Sequence, residues 1–128
     1  MSHAARPDLA THDYAVRLPI DTAVKELTGH LGRKLTAYIA GVKDVRTVDA
    51  WIEDQQVPHD PLPRRLKFAL EIAKLIADHD NDSIAQSWFQ GLNPILDDCS
   101  PARLLREGDF DEVGPSIRQA ALAFVIGG

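Results

Sequence analysis

Apolar positions recur with helical spacing along most of this chain, and no segment alternates with the period of two that marks a half-buried strand. Ile20, Ala23, Val24, Leu27 and Leu31 form a first stripe, with Asp21 placed as N-cap and Gly32 as C-cap. Leu35, Tyr38, Ile39 and Val42 form a second, interrupted at Gly41. Thr47 is placed to cap a third segment in which Val48, Trp51 and Ile52 share a face. Three prolines between Val57 and Pro63 mark a linker.

The longest helix is expected from Pro63 to Asp78. Leu66, Ala69, Leu70, Ala73, Ile76 and Ala77 line one side of it, and Phe68, Ile72 and Leu75 line another. A helix apolar on two sides is either central to its fold or half covered by a partner chain, which would make it a dimer seam. Ser83 and Gln86 have the spacing of a capping box ahead of Ile84, Ala85, Trp88 and Phe89, with both aromatics expected in the core. Gly91 and Asn93-Pro94 stop that helix. Ser100-Pro101 pairs an N-cap with a proline at the first helical position. Ile117, Ala120, Ala121, Phe124 and Val125 make the last stripe. The pattern predicts an all-α chain of about seven helices, preceded over residues 1–18 by a disordered arm without sustained periodicity.

With 128 residues, 45% of them apolar, the chain is the size of one compact domain. A net charge of −5 argues against a basic nucleic-acid coat or a polybasic membrane binder. The single cysteine, Cys99, has no internal disulfide partner and fits a reducing compartment. The start carries no secretory pattern and no run reaches membrane-spanning length, so a cytoplasmic protein without membrane contact is expected.

Catalytic and metal motifs are scarce. There is no nucleophile elbow, phosphate-binding glycine loop or paired-histidine zinc helix, and the five histidines stand far apart. Asp78, Asp80 and Asp82 open like a calcium loop, but Ser83 stands where that loop needs glycine and Phe89 where it needs glutamate. No catalytic residue, metal ligand or cofactor is therefore assigned, and the expectation is a protein that is not an enzyme.

The segment Ala37 to Trp51 reads equally as a helix-turn-helix or as an ordinary helical hairpin, with Gly41-Val42 in the turn and Thr47 to Trp51 in the second helix. Between Lys25 and Arg46 cations exceed anions by three, so Arg33, Lys34, Lys43 and Arg46 are the candidate DNA contacts. The second helix itself carries Asp49, Glu53 and Asp54, and only Gln55 and Gln56 at its end resemble base readers. From Asp97 to Gly128 anions exceed cations by three, and Asn93-Pro94 and Ser100-Pro101 fix two tight turns. A rigid acidic surface of this kind suits protein binding.

Two stretches carry a family resemblance. Leu35 to Trp51 (LTAYIAGVKDVRTVDAW) and Arg65 to Ala69 (RLKFA) make up one half. Ala85 to Pro94 (AQSWFQGLNP), Leu96 to Asp98 (LDD) and Ser100 to Arg106 (SPARLLR) make up the other. Together they resemble the Xre/MbcA/ParS-type antitoxins of type II toxin–antitoxin pairs. The resemblance implies a helix-turn-helix-like and dimerisation region over 19–80 and a C-terminal toxin-binding domain over 81–128. The implied partner is a RES-domain toxin acting on NAD-type substrates, its active-site entrance covered by a homodimeric antitoxin. Carried onto this chain, the toxin contacts would be Asn93, Pro94, Asp97, Ser100, Arg103, Arg106 and Phe124, with Trp88 and Phe89 supporting them from within. Operator DNA is a further partner implied for the helix-turn-helix, although Asp54 stands where the family commonly has glycine. A stand-alone helix-turn-helix repressor is the alternative reading.

Overall fold

A computed structural model describes residues 7–54, 56 and 58–127. Among these are eight α-helices: α1 Pro7–Arg17, α2 Ile20–Leu31, α3 Arg33–Ala40, α4 Val45–Ile52, α5 Leu62–His79, α6 Asp82–Gln90, α7 Pro101–Glu107 and α8 Phe110–Gly127. A single 3-10 turn, Pro94–Leu96, lies between α6 and α7. No strand occurs among the described residues, where the one extended pairing is an isolated antiparallel bridge between Asn93 and Cys99.

The all-α reading therefore holds, and α5 explains how the chain is organised. Leu66, Ala69, Leu70, Ala73 and Ile76 on one side and Phe68, Ile72 and Leu75 on the other are all buried within this one chain. Helices α1, α2, α3, α6 and α8 surround α5. Of the two explanations for its double stripe, the central position is the correct one. The expectation that α5 forms a dimer seam is corrected, because neither of its apolar sides is left open. A break at Asp80–Asn81 separates α5 from α6. The apolar core nevertheless runs across it, since α6 packs on α2 and α5, and α7 packs on α3.

Residues 7–17 correct the expected disordered arm; residues 1–6 lie outside the described segment. Helix α1 packs on α5 with little apolar surface, burying Ala15 together with Asp8 and Thr11. Polar links hold it. His12 Nδ1 lies 2.8 Å from Glu71 Oε1, and the Tyr14 hydroxyl donates to Glu26 at 2.7 Å. Lys67 Nζ donates to the Val16 carbonyl at 3.2 Å. A helix held by hydrogen bonds and one alanine leaves no hydrophobic stripe in its sequence, which is why periodicity passes over it.

Glycines and caps set the remaining ends. Gly32 and Gly41 terminate α2 and α3 at φ 87° and 81°, in the left-handed half of backbone space where glycine has no Cβ clash. Ser100 caps α7 as expected, its hydroxyl accepting from Arg103 N–H at 3.1 Å. Three other expected caps shift. Pro19 precedes α2, with Asp21 inside the first turn, where its charge suits the helix dipole. Asp44 rather than Thr47 caps α4 by accepting from Arg46 N–H at 2.9 Å. Asn81 rather than Ser83 caps α6 by accepting from Ile84 N–H at 2.9 Å.

Phe89 is 0% exposed, whereas Trp88 is only half-buried and meets the Phe89 ring edge-on at 5.4 Å. The two aromatics, alike in sequence, therefore differ in weight. Phe89→Ala is expected to cost about 3–5 kcal/mol and Trp88→Ala about 1–2 kcal/mol in urea denaturation. Equal losses would contradict this placement.

Candidate functional site

The segment between α6 and α7 is a tightly cross-linked loop. Asn93 organises it: its side chain accepts from Ile95 N–H at 2.9 Å, and its carbonyl accepts from the N–H groups of Leu96 and Asp98, both at 2.9 Å. Its own N–H donates to the Cys99 carbonyl at 3.1 Å, and Cys99 N–H returns to the Leu96 carbonyl at 3.1 Å. Pro94 fixes the start of the 3-10 turn, and buried Leu96 anchors the loop to the core. Asp97 and Asp98 take φ of 56° and 61°, a conformation that aspartate tolerates better than most residues.

Two large apolar side chains stand out from this frame. Leu92 is 76% and Ile95 56% exposed, with the Asp97 and Asp98 carboxylates in the same loop also in solvent. Sequence reasoning missed both residues. The available signal was an apolar residue on either side of Asn93-Pro94, outside any helical period. The hydrogen bonds of the loop fix the backbone that carries this exposed leucine and isoleucine, so covering them would cost little backbone conformational entropy.

The residues expected as toxin contacts divide. Asn93, Pro94, Asp97 and Ser100 belong to the loop. Arg103 is exposed on α7 and pairs with Glu107 at 3.1 Å, and that hydrogen bond raises its guanidinium above the ordinary value. Arg106 turns back onto the protein, 4.7 Å over the Tyr38 ring, with Nη1 donating to the Tyr38 carbonyl at 2.8 Å. It ties α7 to α3. Phe124 is 36% exposed on α8, a helix that also touches the 3-10 turn.

No family model, curated protein or solved structure matches this chain.

The candidate DNA contacts also divide. Arg33 is held by Asp49 of α4, Nε to Oδ1 at 2.9 Å with a second contact from Nη2 to Oδ2. Arg46 is held by Asp44 at 2.9 and 2.7 Å. Lys34 and Lys43 are exposed and make no ion pair among the described residues. Gln55 lies outside the described residues. Arg33 and Lys34 line a cleft of about 620 Å³ together with Tyr38, Gln90 and Ser100, so residues expected in two separate sites share one surface between α3 and α7. Lys43 and Arg46 are not part of it.

The three aspartates of the calcium-like run disperse onto separate partners: Asp78 onto Lys74 at 3.0 Å, Asp80 onto His79 at 2.9 Å and Asp82 onto His30 at 2.7 Å. Among the described residues no three metal-ligating side chains converge.

Two predictions test these contacts. Hydrogen bonds from the Arg46 guanidinium and backbone N–H hold the Asp44 carboxyl below its ordinary value. The cap should thus be fully formed above the usual aspartate range, near about 4, and be lost as pH falls through the lowered value. Amide-exchange protection across the first turn of α4 should hold from about pH 6 down to about pH 4, fall below that, and lose this pH dependence in Asp44→Asn. Arg106→Ala should lower stability by about 1 kcal/mol in thermal or urea unfolding, through the lost ring stacking and carbonyl bond. An unchanged midpoint would mean that Arg106 is free for a partner.

Proposed function

We propose that this chain is an antitoxin that binds a cognate RES-domain toxin and covers the entrance to its NAD-type active site. The observation that carries this reading is the cross-linked loop from Leu92 to Ser100, which exposes Leu92 and Ile95 beside two carboxylates. Occluding a cleft requires a rigid complementary surface rather than a reactive group. Outward-held apolar anchors supply desolvation energy on contact. Carboxylates around them suit an entrance lined with cations for a phosphate-bearing dinucleotide. The backbone after α4 offers further support: Asp54, at the position where the resembled family commonly has glycine, takes φ of 60°. A homodimer would have to use a surface other than the apolar sides of α5.

The stand-alone repressor is favoured by one observation. Arg65 makes no ion pair among the described residues; its Nε is buried without a hydrogen-bond partner among them, its Nη1 lies near the Gly41 turn, and burial lowers its guanidinium below the ordinary value. An anion at the α3–α4 turn would relieve that cost. Against this reading, Arg33 and Arg46 are already occupied by carboxylates.

One experiment separates the two. The chain is co-expressed with a RES-domain toxin, and complex formation and NAD consumption are measured. A stoichiometric complex that suppresses NAD loss is expected, weakened about 100-fold or more by the double substitution Leu92→Asp, Ile95→Asp at an unchanged melting temperature. Absence of binding and protection, combined with a salt-dependent shift of upstream DNA that Lys43→Ala weakens, would replace the antitoxin by the repressor.

A further inference from the structure

We propose that the groove between α1, α5 and the start of α8 is a binding site for a small amphipathic monoanion, a carboxylate carried on a flat apolar body. The groove encloses about 490 Å³, within the range of small-molecule sites. It shares no residue with the Leu92–Arg106 surface, so it stands or falls independently of the antitoxin reading.

Its floor is aromatic. Phe68 of α5 and Phe110 of α8 meet edge to face with centroids 5.4 Å apart. Gly114 and Pro115 put no long side chain beside them. A Cβ at Gly114 would already be 3.7 Å from the Phe110 ring, so glycine leaves that flank bare.

The charges around this floor are unevenly satisfied. Glu71, 3% exposed, is gripped by Arg118 Nε and Nη2 at 2.8 Å and by His12 Nδ1 at 2.8 Å, which accounts for its charge within the protein. Lys67 reaches only the Val16 carbonyl, at 3.2 Å, and makes no ion pair among the described residues. Arg64 lies over the Phe110 ring, 5.3 Å from its centroid, and its one carboxylate contact among the described residues is a loose 3.6 Å approach to the exposed Asp111. Two incompletely neutralised cations therefore flank an aromatic floor in a chain whose net charge is −5. One carboxylate could bridge Lys67 and Arg64 while its apolar part lies against the half-buried Phe110 ring, with Phe68, 5% exposed and covered by Arg118 at 5.0 Å, packed behind it. The Asp111 carboxylate in the same lining, met only loosely by Arg64, disfavours a dianion such as a phosphate monoester, which is why the charge is assigned as single.

The test titrates the full-length chain with 1-naphthoate by calorimetry and by amide chemical shifts. Saturable 1:1 binding is expected, with shifts concentrated at Phe110 and Gly114. 1-Naphthalenemethanol, which lacks the charge, and acetate, which lacks the ring, should each bind at least about tenfold more weakly. The double substitution Arg64→Gln, Lys67→Gln should lose about tenfold or more, while Lys67→Arg retains binding and shows that the charge rather than the fold was removed. The proposal is overturned by no saturation up to about 10 mM, by equal affinity for the neutral alcohol, or by undiminished binding in the double variant. Tighter binding of 1-naphthyl phosphate than of 1-naphthoate would overturn the assignment of a single charge.

Discussion

A helix with apolar residues on two opposite sides has to be enclosed, and the enclosure of α5 dictates the position of almost everything else. Its eight buried apolar residues belong to the core that α5 shares with α1, α2, α3, α6 and α8. In return, helices packed on α5 can be short: α3 has eight residues and α6 has nine. Isolated helices of that length are marginal in water, so their order comes from packing against a common partner rather than from their own propensity. The α6–α7 loop inherits its rigidity from this arrangement, because Leu96 is seated in the same core.

Glu71 is the exception within α5. A carboxylate at 3% exposure carries a desolvation cost that good geometry offsets only in part. Here both of its oxygens are used, one by His12 of α1 and the other by Arg118 of α8. An apolar residue at this place would pack α5 equally well but could not define how α1 and α8 are placed relative to each other. The buried ion pair thus serves as a positional constraint at a junction where α1 contributes almost no hydrophobic contact of its own.

How far the sequence could be read follows from the same physics. The helices with apolar stripes, α2, α5 and α8, are legible because burial imposes a period. Gly32, Gly41 and Ser100 are legible because a left-handed turn or an N-cap admits few residue types. Helix α1 is not, since polar side chains that bond across a fold leave no period. The caps at Asp44 and Asn81 lie two or three residues from equally plausible Thr47 and Ser83, and only the backbone path distinguishes them. Of the candidate contacts, Asn93, Pro94, Asp97 and Ser100 share the loop. Arg106 could not be told from a free surface arginine, because Tyr38, which it covers, is 68 positions away. Leu92 and Ile95 were hidden because exposure is a property of the loop's shape and not of its composition.

The coupling of Arg33 to Asp49 and of Arg46 to Asp44 has a kinetic consequence. Charges cancelled within a few ångströms act as dipoles, whose influence fades much faster with distance than that of isolated ions. Arg33 and Arg46 therefore add little long-range field, and Lys34 and Lys43 are the cations of the α3–α4 face left to steer an approaching charge. The two arginines would act on a charged polymer or protein only after touch, through shape.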